Sequence, residues 1–238
     1  RGDAKLSSDA WTDLAQRTRD PKVNARATEV AGFARQYDRA LELSKLWIEV
    51  EPNSTQAKQT QSSLLVMTNR LEDLAPQLTA LLEQDKANLG SNLLHMNRML
   101  SRVSDKKAAQ ALIDRIAAPY DSLPEAHFAM AQAASNANDN LRALNETEKA
   151  LQLRPDWEMA ALARAQLQAR QSAKTAIDSL AEFVGNNAAA RDARLTLARL
   201  LITEKRYSEA RQHFDRLLKD NPDSPEVIYP VAMLALRP

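Results

Sequence analysis

The chain has 238 residues, with 32 basic and 31 acidic side chains and a net charge of +1. This balance gives no support for a nucleic-acid or membrane-surface partner, because either would call for an excess of basic residues. Cysteine is absent, which excludes disulfides, zinc fingers and thiol catalysis. Glycine (4 residues) and aromatic residues (5%) are scarce, and since strands and tight turns use both heavily, the composition favours helices.

An amphipathic helix is predicted at the start of the chain, over residues 4–19, with Trp11, Leu14 and Ala15 on its apolar face. We interpret residues 1–20 as a leading or capping helix. Asp20 followed by Pro21 then predicts a new helix, because aspartate caps a helix start and proline fits the first helical position.

From Pro21 onward, helix pairs recur with a period of about 34 residues. Prolines that close a pair mark this period: Pro52 and Pro155 are 103 residues apart, and Pro155 and Pro222 are 67 apart. These distances are three periods plus one residue and two periods minus one residue. The alternative is a helical bundle without repeats, which needs no fixed period.

The period predicts six repeats and one further helix. Pro76 falls inside the second helix of the second repeat, so we expect that helix to begin late, near Asp73, or to kink. The predicted repeats span residues 21–54, 55–88, 89–123, 124–157, 158–190 and 191–224, and residues 225–238 form the first helix of a truncated seventh.

No pattern typical of catalysis is found. His95, His127 and His213 lack the spacing of metal ligands, and we interpret them as structural, with His95 and His127 on helix faces that pack between hairpins. Glu146 and Glu148 resemble solvated helix faces. The four glycines are too far apart for a phosphate-binding loop, and no nucleophile-elbow motif occurs. The sequence therefore predicts no enzymatic activity, no metal and no cofactor. An enzyme is the remaining alternative, and it would need a polar cluster that the sequence does not show.

The repeats resemble the tetratricopeptide repeat family from Pro21 onward. The fourth repeat carries the resemblance best, with small residues where two helices touch (Ala134, Ala143, Ala150) and a closing Pro155. The resemblance implies an all-α fold, a tetratricopeptide-repeat α-solenoid, in which antiparallel helix pairs form a right-handed superhelix. It also implies a concave groove that binds another polypeptide, and hence a non-enzymatic scaffold or adaptor.

In this family, the first helix of each repeat lines the groove. The family register places an apolar stripe on this chain beside a row of amides that ends in an arginine. Arg199, with Arg170 and Arg237, can hold a carboxylate. The alternative is that the stripe is ordinary packing between repeats. The predicted partner-binding residues are Leu93, Asn97, Phe128, Gln132, Leu162, Gln166, Leu195, Arg199 and Tyr229.

The carboxylate-clamp subclass of the family, which grips chaperone C-termini, is not matched. That subclass has a lysine at the fifth position of the first helix and a pair of asparagines. Leu93 stands at the lysine position here, and Ala129 stands where the second asparagine is expected.

Two longer segments read AWTDLAQRTRDPKVNARATEVAGFARQYDRALELSKLWIEVEPNS and RLLITEKRYSEARQHFDRLLKDNPDS. These segments are similar to the tetratricopeptide lipoproteins of the Gram-negative outer membrane. One such family partners a periplasmic carboxyl-terminal processing protease. The resemblance implies a periplasmic adaptor that binds the protease and delivers substrates such as cell-wall hydrolases. A scaffold of an exopolysaccharide or secretion machine is the alternative.

Both ends of the chain carry further expectations. The chain opens at Arg1 without methionine, so we expect a fragment whose lipid anchor lies upstream. The final half-repeat is expected to leave an apolar face uncovered, so that either the natural protein continues or this end meets a partner or another copy.

Overall fold

The computed structural model describes residues 2–235, and the side chains of residues 4–234. Within this range the chain is all-α, as predicted: it forms fourteen α-helices and no strand. Short 3-10 helices lie at Lys86–Asn88 and Ala118–Tyr120. The α-helices are Gly2–Thr18 (α1), Pro21–Phe33 (α2), Tyr37–Val50 (α3), Thr55–Met67 (α4), Leu71–Gln84 (α5), Leu89–Leu100 (α6), Lys106–Ala117 (α7), Pro124–Asn136 (α8), Asn140–Leu153 (α9), Glu158–Ala169 (α10), Ala173–Asn186 (α11), Arg191–Thr203 (α12), Tyr207–Asp220 (α13) and Pro225–Ala235 (α14). Two helices fall inside each of the six predicted repeat intervals.

The chain divides into two compact units. The N-terminal unit holds the residues up to Leu89 together with His95–Leu112, and the C-terminal unit holds Gly90–Leu94 together with the residues from Ile113 onward. Within the N-terminal unit, the helices α1, α2, α3 and α4 each pack against the next helix in the chain. Within the C-terminal unit, each of the helices α8 to α14 does the same, and α10 also packs against α12. Neighbour-on-neighbour packing is the arrangement of an α-solenoid, in which each hairpin buries its apolar face against the following one.

Four of the turns that join paired helices share one backbone conformation. In each, a residue other than glycine has a positive φ, between 57° and 62°. The next amide closes the helix: the Arg206 N–H donates to the Leu201 carbonyl at 2.8 Å, which is the hydrogen bond of a Schellman motif. These residues are Arg35, Asn69, Asn138 and Lys205. They lie about one or two periods apart, so the repeat is visible in the backbone as well as in the sequence.

Helix α5 begins at Leu71, two residues before the predicted start at Asp73, and continues through Pro76. Leu71 and Leu74 in its first turn are 7% and 0% exposed. We attribute the early start to burial of these two leucines, which outweighs the one backbone hydrogen bond that Pro76 cannot donate.

A large cluster of buried apolar residues extends through the C-terminal unit from α8 to α14. Phe128 on α8 and Leu234 on α14 belong to the same cluster of buried apolar residues. Alanines occupy the closest helix contacts: Ala134 on α8 and Ala143 on α9 are fully buried and share a smaller cluster with Leu167. Small side chains let the helix axes approach, which is why the alanine spacing predicts the pairing of the helices.

Candidate partner-binding surface

The predicted partner-binding residues fall into buried and exposed groups. Leu93, Phe128 and Leu195, all of the C-terminal unit, are 0%, 1% and 6% exposed, and Asn97 of the N-terminal unit is 3% exposed. Gln132 and Leu162 are half-buried. The exposed group consists of Gln166, Arg199 and Tyr229.

Phe128 is buried because α8 is covered almost completely between Ala126 and Ala134. Its ring centre lies 4.8 Å from that of Trp157, with the rings tilted by 48°. The Arg154 guanidinium carbon lies 4.5 Å from the Trp157 ring centre, and the same guanidinium pairs with Glu125. This chain of contacts joins α8 to the turn between α9 and α10. The position of Phe128 therefore agrees with the alternative interpretation, in which the apolar stripe is ordinary packing between repeats.

Leu195 belongs to the same core cluster as Phe128, and Leu93 has no exposed surface. In the folded chain these side chains offer little or no surface to a partner. The predicted residues that are exposed are Gln166, Arg199 and Tyr229.

Exposed side chains on α10, α12 and α14 remain accessible to a partner. Met159 is 51% exposed, Tyr229 70% and Met233 43%, and Gln166 and Arg199 are exposed as well. We call these five residues the first-helix surface, because each lies on the first helix of its predicted repeat. Met159 and Met233 were not among the predicted site residues. Met159 occupies the second position of α10, a position that lines the groove in the family register, so that register could have found it.

Comparison with known proteins agrees with this arrangement of helices. A family model for the tetratricopeptide repeat matches residues 167–233, from the end of α10 into α14. Residues 167–233 therefore carry the tetratricopeptide repeat pattern. No curated protein sequence matches the chain.

Two solved structures resemble this chain in fold. The C-terminal part of a TPR repeat-containing protein from Cytophaga hutchinsonii has a TM-score of 0.52 and 15% identity, with 96% of this chain and 95% of that chain covered. Yeast Tom70 has a TM-score of 0.53 and 13% identity, and the match covers 98% of this chain and 58% of Tom70.

Two of the three arginines predicted to hold a carboxylate lie in the described part of the chain, and their surroundings differ. The Arg170 guanidinium donates to the Asn140 side-chain oxygen at 3.0 Å, which holds it against the start of α9. Arg199 is exposed on α12. Arg237 lies outside the described residues. Of these two described arginines, Arg199 is the one that lies exposed on a first helix.

The histidines and carboxylates of the repeats occupy different environments. His127 is buried, as expected of a structural residue, whereas His95 is exposed and the prediction that it packs between hairpins is wrong. Burial lowers the pKa of His213, and the nearby Arg194 lowers it further. Glu146 was interpreted as a solvated helix face, which is also wrong: it is 5% exposed, because His127 and Lys149 cover it. Glu148, two residues further on, is exposed.

Among the side chains of residues 4–234, no group of three histidines or carboxylates is placed to hold a metal ion. In the same part of the chain, none of the helices has the length and apolar character needed to cross a bilayer.

Proposed function

We propose that this chain is a non-enzymatic scaffold that binds a segment of another polypeptide on its first-helix surface. The observation that carries the proposal is the exposure of Met159, Tyr229 and Met233 on first helices of the C-terminal unit. Large apolar side chains in a well-packed repeat array are normally covered, and a surface that leaves several exposed is typical of an interaction site.

The chemistry of the surface fits a polypeptide ligand. Methionine side chains adapt to varied apolar surfaces, and tyrosine combines apolar area with a hydroxyl. Burial of this area contributes about 25 cal/mol per Å². The Gln166 amide can donate to and accept from a peptide backbone whatever its sequence. Arg199 can bind a carboxylate of the ligand with two parallel hydrogen bonds.

A finer assignment rests on the resemblance to outer-membrane lipoproteins. In this proposal, the chain is the periplasmic part of an anchored adaptor that binds a carboxyl-terminal processing protease and presents cell-wall hydrolases to it. A scaffold of an exopolysaccharide or secretion machine uses the same surface without delivering substrates. A pull-down with the full-length protein separates the two, because the first recovers the protease and the second recovers export components.

The test of the binding surface is a titration of purified protease with variants of the chain. Tyr229→Ala combined with Met159→Ala should weaken binding at least about tenfold, since aromatic side chains at the centre of an interface carry much of its energy. The matched control is Leu141→Ala, which removes a side chain of similar exposure (79%) from α9, a second helix. Equal affinities of all three proteins would contradict the proposed surface.

Self-association through α14 is a second proposal for the same exposed side chains. Ile228 is 45% exposed and, like Tyr229 and Met233, lies on this helix. A second copy that covers these residues would give a dimer whose dissociation depends on concentration. Analytical ultracentrifugation of the unmodified chain and of Ile228→Ser measures this, and a monomer at all concentrations would overturn it.

A further inference from the structure

The sulfur atoms of this chain all belong to methionine. The sequence contains six methionines and no cysteine. A peroxide, which is a two-electron oxidant, therefore meets thioethers and no thiol. Hydrogen peroxide transfers one oxygen atom to the methionine sulfur and leaves as water, which converts the thioether to a sulfoxide. Because the oxidant must reach the sulfur, the exposure of each side chain decides how fast it reacts.

Three of the methionines are exposed, and each lies on the first helix of its predicted repeat. Met159 on α10 is 51% exposed and Met233 on α14 is 43% exposed. Both belong to the first-helix surface of the C-terminal unit. Met67, the last residue of α4, is 61% exposed and lies in the N-terminal unit. An oxidant in solution can therefore reach these three side chains without any opening of the fold.

The other three methionines are covered to different degrees by the fold. Met96 is 1% exposed and Met130 is 6% exposed, while Met99 is half-buried. Access to the sulfur is restricted at these positions, so they should react more slowly than the exposed ones. Mild oxidation should therefore change the surface of the chain and leave its packed interior intact.

We propose that Met159 and Met233 are oxidation sites, and that their conversion to sulfoxides by a peroxide weakens polypeptide binding at the first-helix surface. The inference rests on the proposed function, because it concerns the same surface. A thioether is apolar and favours binding when a partner covers it. A sulfoxide carries a polar oxygen that accepts hydrogen bonds, so covering it without a donor is unfavourable. The same contact then opposes binding.

The two sites lie on either side of α12 in the order of the first helices. Helix α10 carries Met159 and packs against α12, while α14 carries Met233 and packs against α13, the partner of α12. A polypeptide segment that runs from α10 to α14 therefore covers one methionine on each side of Arg199. Because the two positions lie on separate helices, the losses of affinity caused by the two sulfoxides should multiply.

The test begins with a map of the oxidised positions. The full chain is treated with hydrogen peroxide, the peroxide is removed with catalase, and mass spectrometry of proteolytic peptides gives the sulfoxide fraction at each methionine. We expect Met67, Met159 and Met233 to react well before Met96 and Met130. Circular dichroism should show unchanged helicity, since the reacting side chains are exposed.

Binding is then measured with the purified protease of the titration described above as the probe. The affinity of the unmodified chain should fall at least about tenfold after oxidation, because two polar oxygens become covered in the complex. Treatment with methionine sulfoxide reductases should restore the affinity, since the oxidation is reversible.

Two variants separate the proposed sites from the third exposed methionine. Each protein is compared with itself before oxidation, so that any effect of the substitution on the starting affinity cancels. Met159→Leu combined with Met233→Leu should keep its affinity after oxidation, because leucine has a similar size and no sulfur. Met67→Leu is the matched control and should lose as much affinity on oxidation as the unmodified chain.

Several results would overturn the inference while the proposed function stands. One is equal affinity before and after oxidation in a chain whose Met159 and Met233 are sulfoxides. Others are failure of these two residues to react before Met96 and Met130, a loss of affinity that the double leucine variant does not prevent, and a loss of helicity on oxidation. A chain that does not bind the probe before oxidation contradicts the proposed function, and the inference is then overturned with it.

Discussion

At the scale of single residues, several turns of this chain use a conformation that its side chains do not favour. Lys205 has a φ of 61° and Arg35 a φ of 57°. A residue with a Cβ atom pays about 1–2 kcal/mol in the left-handed region, whereas glycine adopts it freely. The turn conformation connects one helix to the next, but glycine would adopt it at a lower free energy than lysine or arginine does.

Replacing Lys205 by glycine should therefore stabilise the chain. Relief of the strained φ outweighs the extra entropy of glycine in the unfolded state, and we expect a gain of about 0.5–1 kcal/mol in the free energy of unfolding. Urea denaturation measures it. Asn69→Gly is the matched control, since asparagine already tolerates a φ of 58° and should gain less. A loss of stability in Lys205→Gly would show that the lysine side chain contributes more than its backbone costs.

Glu146 shows how little a residue's own type says about its environment. Glu146 and Glu148 lie two positions apart on α9, yet the first is buried in an ion-paired cluster and the second is exposed. The difference depends on the angular position around the helix and on the neighbour that covers that face. The charge pattern of the sequence shows the angular position of a residue around the helix, but not which neighbour covers that face.

At the scale of helices, successive repeats also contact each other through polar groups. The Glu158 carboxylate at the start of α10 accepts a hydrogen bond from the Ala193 amide in the first turn of α12, at 2.7 Å. Residue 190, which precedes α12, is an alanine and makes no side-chain capping bond. A carboxylate from the preceding repeat thus takes the place of a local N-cap and also favours the positive end of the helix dipole.

Glu158→Ala should remove this cap and destabilise the chain by about 1 kcal/mol, the usual cost of losing an N-cap. Hydrogen exchange of the Ala193 amide should accelerate in the variant. Glu182→Ala, which changes an exposed carboxylate on α11, is the control and should leave both quantities nearly unchanged. If Ala193 stays equally protected in Glu158→Ala, the capping role is contradicted.

At the scale of the C-terminal unit, one core runs from α8 to α14, and its stability is expected to depend on contacts between neighbouring repeats. Phe128 is the largest fully buried side chain near the start of this core, and it contacts Trp157, the last residue of the same predicted repeat, which lies just before α10.

Phe128→Ala should lower the free energy of unfolding of this unit by about 3–5 kcal/mol, because it leaves a cavity between repeats. Circular dichroism during urea denaturation measures this. Met159→Ala, at an exposed position, should stay within about 0.5 kcal/mol of the unmodified chain. If Phe128→Ala instead leaves stability intact and weakens partner binding, the residue belongs to the binding surface after all.

The sequence by itself determined the helices, their pairing and the repeat period. These features depend on local signals, because prolines, caps and small residues act within one hairpin. The same kinds of signal recur along the predicted repeats. The first residues of α8 and α14 follow directly from Pro124 and Pro225, because proline fits the first helical position. The all-α fold was predictable for the same reason.

Only the tertiary structure decided which first-helix residues face solvent and which charges are buried. Phe128, Leu195 and Tyr229 hold equivalent positions in their repeats, yet the first two are covered and Tyr229 is 70% exposed. His127 and Glu146 are 19 residues apart and meet through the packing of α8 on α9. Burial is a property of the neighbours that surround a side chain, and those neighbours vary along the array even where the repeat pattern does not.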